Sequence, residues 1–375
     1  MKLKVPLLRP YFGSEELEEI RKVLESGWVS QGPKVREFEE MVADYIGIKH
    51  AIAVTNCTCA LHLSLLGLEI GEGDEVLVAD YTFPASAHAV LYCGASPVFV
   101  DVDPRTYNID PEEIEAKITD KTKAIMPVHT FGQPAEMGRI MEIAHEHDLG
   151  VVEDAACALG AKCRDRFAGT IGDLGCFSFH ARKGITTGEG GMVVTDNSDY
   201  ADNVRHLSVF GMTAAWDRER NDRLAIPEFQ DVGYNYKMSD ITAAVGVAQM
   251  RRIGEIIKRK QELASHWDER LGEMKQIVPP SVAEGMEHVY QSYISLVDKS
   301  INRDNLIERM AKEGIQTQIG TYSCHIQPVY RARDRCPRSF DIYSRALALP
   351  MYYSLTEADI DLAAEALRIS LGEMR

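Results

Sequence analysis

The chain of 375 residues is 45% hydrophobic and 26% charged, the balance of an ordinary globular protein large enough for one big and one smaller domain. Its net charge of −16 sets up a field that repels a phosphate backbone, which excludes nucleic acid as an expected partner but leaves room for a small phosphorylated ligand. No apolar run has the length of a membrane span and "MKLKVPLLRPYF" carries no signal-type hydrophobic segment, so the expected location is the cytoplasm.

In chain order, strands are predicted at 51–55 (AIAVT), 75–79 (EVLVA), 97–102 (PVFVDV), 124–128 (AIMPV), 150–154 (GVVED), 176–179 (CFSF) and 191–196 (GMVVTD). Helices are predicted between them at 58–68, 84–93, 111–118 and 136–148; Asp110-Pro111-Glu112-Glu113 supplies a cap, a first-turn proline and dipole-matched acids. Strands apolar on both faces and separated by helices imply a mostly parallel α/β sheet covered on both sides. The last strand follows too short a link for a crossover and is expected to run antiparallel. A long helix is predicted from "MSDITAAVGVAQM", capped by Ser239, on into "RRIGEIIKRKQEL", leaving the large domain (1–245) for a smaller α+β domain (246–375). Near the end, Thr356 and Asp359 form a capping pair. The eight cysteines form no CxxC pair, and His145-Glu146-His147 cannot face one ion from a helix, so no metal is expected.

Open α/β sheets bind ligands beyond the carboxyl ends of their strands. There the sequence places Thr58 and Cys59 at a helix start, Phe83 in "DYTFPAS", Asp154 ending "GVVED", and Ser178 and Lys183 in "CFSFHARKGITTGEGG". A helix N-terminus and a hydroxyl suit a phosphate, a phenyl ring suits a planar heterocycle, and a buried carboxylate suits a protonated ring nitrogen. A lysine amine, kept neutral by desolvation and a nearby positive charge, suits a Schiff base. Pyridoxal 5′-phosphate needs all of these. Each signal also has a plain structural reading: a solvated loop lysine, a turn-forming Asp, a core Phe and a generic glycine turn.

The chain resembles, almost end to end, the DegT/DnrJ/StrS family of pyridoxal-phosphate-dependent sugar aminotransferases. The resemblance is carried by "SGWVSQGPKVREFEE", "GDEVLVADYTFPASAHAVLYCGASPVFVDVDP", "KAIMPVHTFGQPAEM", "VVEDAACALGA", "CFSFHARKGITTGEGGMVVT", "GYNYKMSDITAA", "HIQPVY" and "ALPMYYSLTEADI". It implies a fold-type-I architecture with a seven-stranded sheet, and a homodimer with shared active sites. It makes Lys183 the Schiff-base lysine and proton shuttle, Asp154 the ring-nitrogen partner and Phe83 the stacking residue. Thr58, Cys59 and Ser178 become phosphate contacts, joined by Asn235 from the neighbouring subunit. Tyr322 and His325, with Trp28 and Glu189, line the sugar cleft. Cys157 stands where the family usually has a Gln that bonds the cofactor's phenolic oxygen, and Cys57 where a glycine is common.

A family subgroup with His in place of the lysine dehydrates sugars; Lys183 favours transamination. The expected activity is transfer of an amino group from glutamate to a nucleotide-linked keto sugar, through the pyridoxamine 5′-phosphate form. The alternatives are a pyridoxal-phosphate-binding regulatory protein, or an enzyme that acts on a cyclitol or dehydrates a sugar. Arg205, Arg218 and Arg220 are candidates for a diphosphate, against a plain reading as solvated basic residues.

Overall fold

The computed structural model describes residues 3–212 and 227–372. Its main sheet is built from β1 (His50–Val54), β2 (Glu75–Ala79), β3 (Ser96–Val100), β4 (Thr122–Met126), β5 (Gly150–Asp154), β6 (Leu174–Ser178) and β7 (Gly191–Thr195), in the order β1-β7-β6-β5-β4-β2-β3. β7 pairs antiparallel with both β1 and β6, as the short link requires, and every other pairing is parallel. Helices cover both faces: α1 (Ser14–Ser26), α2 (Pro33–Ile46), α3 (Cys57–Gly67), α4 (Ala85–Tyr92), α5 (Met137–Glu146), α6 (Ser198–Ser208), α7 (Asp240–Met250) and the start of α8 (Ile253–Leu271). Strand alternation divides the core. Ile52, Val54, Val76 and Val78 pack with α3 and α4, whereas Ala51 and Ala53 pack with α2 and α7, and Leu77 and Ala79 with α5.

A second sheet, β8 (Ile277–Val278), β9 (Tyr293–Val297), β10 (Gln318–Ile319) and β11 (Ala346–Leu349), is ordered β8-β9-β11-β10 and is antiparallel throughout. It packs with the end of α8, α9 (Arg303–Lys312) and α10 (Glu357–Gly372) around Trp267 and Leu306. Val5 joins this cluster, so the N-terminal strand-like segment crosses to it. The predicted caps are present: Ser239 accepts from the Thr242 N–H, and Thr356 and Asp359 bond reciprocally.

Two predicted elements are corrected. Residues 111–118 form two short 3₁₀ turns, Pro111–Glu113 and Glu115–Lys117, although Asp110 does cap the first; a segment this short does not repay helix nucleation. The long helix is broken at Arg251-Arg252, where Arg251 reaches Glu19 and Glu37 and Arg252 reaches Glu15 and Glu16, fixing a corner against α1 and α2. The loop before α2 is tied to α7 by buried Asp240, whose carboxylate accepts the N–H groups of Gly32 (2.8 Å), Lys34 (3.0 Å) and Val35 (3.0 Å). Asp240→Ala leaves those donors without a partner and is expected to lower stability by about 3 kcal/mol in urea denaturation.

Candidate active site

Parallel strands end on one edge, and that edge collects the candidate residues. After β1, Asn56 caps α3 by accepting the Cys59 N–H at 2.9 Å. The helix therefore opens one residue earlier than the sequence suggests, and Cys59 is already satisfied through its backbone. The N–H groups of Cys57 and Thr58 carry no hydrogen bond among the described residues, so the dipole end that remains open lies there. Gly191 lets β7 pass directly beneath: a Cβ there would come within 2.3 Å of the Asn56 carbonyl carbon.

β5 delivers Asp154, which is 5% exposed. Its Oδ1 accepts from the Ala156 N–H (3.1 Å) and its Oδ2 from Ser86 Oγ (2.7 Å), which also meets Thr82 Oγ1 at 2.9 Å. The preceding residue, Glu153, points to the other face and anchors the strand: it accepts from Gly169, Ile171 and Gly172 N–H groups and from His129 Nε2. His129 Nδ1 accepts from the Ala135 N–H, which places its proton on Nε2. Burial would raise the Glu153 pKa, but His129 and the backbone donors outweigh it and hold the carboxyl below its ordinary range.

At the end of β6, Ser178 is partly buried and its hydroxyl oxygen faces the His180 N–H at 3.4 Å. Lys183 Nζ lies 3.1 Å from Cys157 Sγ. The expectation of a neutral amine is corrected here. Burial pushes the Lys183 amine down, but Cys157, Cys57 and Asp154 outweigh it, and the amine is held above its ordinary value. The glycine turn behind it is required sterically: Gly188 has φ +87°, and a Cβ on Gly190 would strike Thr187 Oγ1.

The remaining candidates separate into two groups. Phe83 and Tyr322 meet edge to face at 6.1 Å between ring centroids, both exposed, and His325 Nδ1 lies 2.8 Å from Asp80 Oδ2. Trp28 instead folds onto its own turn, donating from Nε1 to the Gln31 carbonyl, and Glu189 lies at the surface 3.7 Å from His180. Asn235 is exposed beside Lys237. Arg205 is committed to Glu39 and the Ala51 carbonyl, which corrects its reading as a solvated or diphosphate-binding residue; Arg218 and Arg220 lie outside the described residues.

Sequence reasoning missed Ser86, Asp80 and Lys260. Asp80 follows a buried strand just as Asp154 does, and that signal was open to reading. Lys260, on α8, is nearly fully buried in the cavity walled by Lys183, and its ammonium reaches only the Gln291 carbonyl (3.3 Å), with no carboxylate partner among the described residues. Burial pushes its pKa from 10.5 down to about 8. The unfolded chain therefore holds the extra proton between pH 8 and 10.5, so the folded state gains stability as pH rises through that window and carries the full penalty below it. Lys260→Met is expected to stabilise the fold at pH 7 by about 2 kcal/mol, with the gap to wild type closing toward pH 10.5 in urea melts.

This donor set fits a phosphorylated pyridine aldehyde: an amine for the aldehyde, a buried carboxylate for the ring nitrogen, and an open helix start for the phosphate. Among the described residues no helix is long and apolar enough to cross a membrane. Residues 10–368 match the DegT/DnrJ/EryC1/StrS aminotransferase family. The chain is 40% identical over 370 residues to GDP-perosamine synthase of Caulobacter vibrioides, covering 97% of each chain. It is 39% identical over 374 residues to the spore coat polysaccharide biosynthesis protein SpsC of Bacillus subtilis, covering 97% of this chain and 96% of that one. The "putative sugar aminotransferase Spr1654" of Streptococcus pneumoniae in its PMP form superposes with a TM-score of 0.94 at 26% identity, covering 99% of this chain and all of the other, and its PLP form with 0.92. The chain belongs to the DegT/DnrJ/EryC1/StrS aminotransferase family and is a pyridoxal-phosphate-dependent sugar aminotransferase.

Proposed function

We propose that the enzyme moves an amino group from glutamate to a nucleotide-linked keto sugar. The observation that carries this reading is the meeting, at one sheet edge, of the Lys183 amine, the buried Asp154 carboxylate and the open start of α3. End-to-end likeness to a GDP-perosamine synthase supports the nucleotide-linked acceptor. Bound pyridoxal phosphate supplies an aldehyde that bonds amines and a ring that takes up the electron pair released at the donor Cα. Asp154 holds a proton on the ring nitrogen, Phe83 covers the ring, and the N–H groups of Cys57 and Thr58 with the Ser178 hydroxyl take the phosphate. Cys59 supports the same turn through its bond to Asn56. Lys183 would take the proton from the donor Cα and hand it to the aldehyde-derived carbon of the cofactor in the same half-reaction, then run that transfer in reverse toward the keto sugar, which requires one base within reach of both carbons. Cys157 partners the released Lys183 amine.

Tyr322 and His325, with Trp28 and Glu189 farther out, form the acceptor side of the cleft. A second copy of the chain completes the site, with exposed Asn235 reaching the neighbouring cofactor phosphate. The exposed side chains of Phe83, Phe229 and Val232 are apolar surface that such a copy would cover. Residues 1–245 form the cofactor-binding domain in this reading and 246–375 the smaller one.

The test is spectroscopic. Glutamate added to the purified holoenzyme is expected to bleach the visible band of the PLP form, release 2-oxoglutarate and leave the PMP form. Nucleotide-linked 3-keto and 4-keto sugars should then restore the band. A protein that binds pyridoxal phosphate but responds to no amino donor is a regulatory binder, and this reading fails.

A further inference from the structure

Asp80 lies just past β2, fully buried, and its carboxylate collects four donors. Oδ1 accepts the His325 backbone N–H at 2.6 Å, while Oδ2 accepts Ser323 Oγ (2.7 Å), Ser339 Oγ (2.5 Å) and His325 Nδ1 (2.8 Å). A carboxylate so served is ionised, which places a proton on Nδ1. Its only cationic partner among the described residues is that imidazole. The neighbouring acids are engaged elsewhere: Asp101 by Arg338, and Asp334 by Lys117. A buried charge is tolerated only when paired, so Asp80 calls for an imidazolium at His325. Asp80 raises the basicity of His325 by this bond, against partial burial, with Asp101 and Asp334 adding to it. Cys336 Sγ lies within 4.8 Å of the pair, a spacing that a metal ion could bridge; the two serine hydroxyls aimed at Oδ2 show that oxygen in use as an acceptor.

The pair is joined to the cofactor edge. The backbone turns at Asp80, where the Thr82 N–H donates back to the Asp80 carbonyl (3.1 Å), and Thr82 leads through Ser86 to Asp154. The short strand Tyr322–Ser323 pairs with Tyr81–Thr82, setting His325 beside the Phe83–Tyr322 ring contact. His325 Nε2 has no hydrogen bond among the described residues and is not an enclosed atom.

We propose that Asp80 is a positioning residue that holds His325 through Nδ1–H and turns Nε2–H outward, to donate to an oxygen of the nucleotide-sugar acceptor. This rests on the function proposed above. It extends that reading by naming the residue that sets the orientation and charge of the acceptor-side imidazole.

Imidazole ¹⁵N spectra of the holoenzyme test it, with the His325 signal identified by its loss in His325→Asn. Both ring nitrogens are expected to be protonated near neutral pH, and Asp80→Asn is expected to lower the His325 midpoint by about one pH unit or more. The Nε2 signal should move on addition of at least one of GDP-mannose, UDP-N-acetylglucosamine and dTDP-glucose. In half-reactions, Asp80→Asn should slow the return of the PMP form by nucleotide-linked keto sugars about tenfold more than it slows the glutamate half. An unprotonated Nδ1, an unchanged midpoint, a Nε2 signal unmoved by all three nucleotide sugars, or equal losses in both halves overturns the proposal. Should Asp80→Asn not fold, the wild-type spectrum and its response to nucleotide sugars still decide. A wild type that glutamate does not convert sinks the functional reading alone, because the spectra do not depend on turnover.

Discussion

Lys183→Ala is expected to cut the glutamate-driven conversion of the cofactor by about 10⁴-fold, the upper range for loss of a general acid–base group. The residue sits in a loop, and among the described residues its Nζ hydrogen-bonds only to Cys157, so the fold should survive and the loss should be chemical. Stopped-flow absorbance on adding glutamate measures it; an undiminished rate removes Lys183 from the reaction. The free protein adds a test of the amine's state. Cys157, Cys57 and Asp154 hold the Lys183 amine above its ordinary value despite burial, so it is protonated at neutral pH and a poor nucleophile. Capture of pyridoxal phosphate by the free protein should therefore quicken as pH rises toward that raised value. Cys157→Ala removes the leading attractive partner, so the rise should begin at lower pH. An onset that stays where it was would show that the thiol does not set the amine's basicity.

Legibility in the sequence followed the range of the interactions. Ser239, the Thr356/Asp359 pair and the antiparallel β7 were legible because caps and short links are decided within a few residues. Asp154 was legible because a buried strand ends on it. The break at Arg251-Arg252 was not, since it depends on carboxylates more than two hundred residues earlier in the chain. Nor was the pairing of Arg205 with Glu39, which spends a basic residue on the core rather than on a ligand. Asp80 shows the limit most clearly. Its position after β2 advertised a strand-end carboxylate, but its meaning depends on Ser323, His325 and Ser339, brought to it by a segment from the far end of the chain. Local pattern finds candidate groups; long-range contacts decide which of them are free to act.

Asp154→Asn separates charge from shape at the site's deepest point. An amide can still accept from the Ala156 N–H or from Ser86 Oγ, so packing and the Thr82–Ser86 chain should persist. What disappears is the negative charge, and with it the means of keeping a proton on a ring nitrogen that would otherwise be largely unprotonated. In the proposed reaction, loss of that proton would leave the electron pair from the donor Cα with no favourable place to go, so both half-reactions should fall together, by about 10³-fold. Equal loss in the two halves is the signature expected of a group that acts on the cofactor ring rather than on either substrate, the role proposed for Asp154. Ser86→Ala, which removes one hydrogen bond while leaving the charge, should cost about tenfold or less in the same measurements. Should Asp154→Asn keep more than about a tenth of wild-type turnover, well short of the loss expected for a preorganised charge, Asp154 is reduced to a strand-end residue held by Ser86 and the Ala156 N–H.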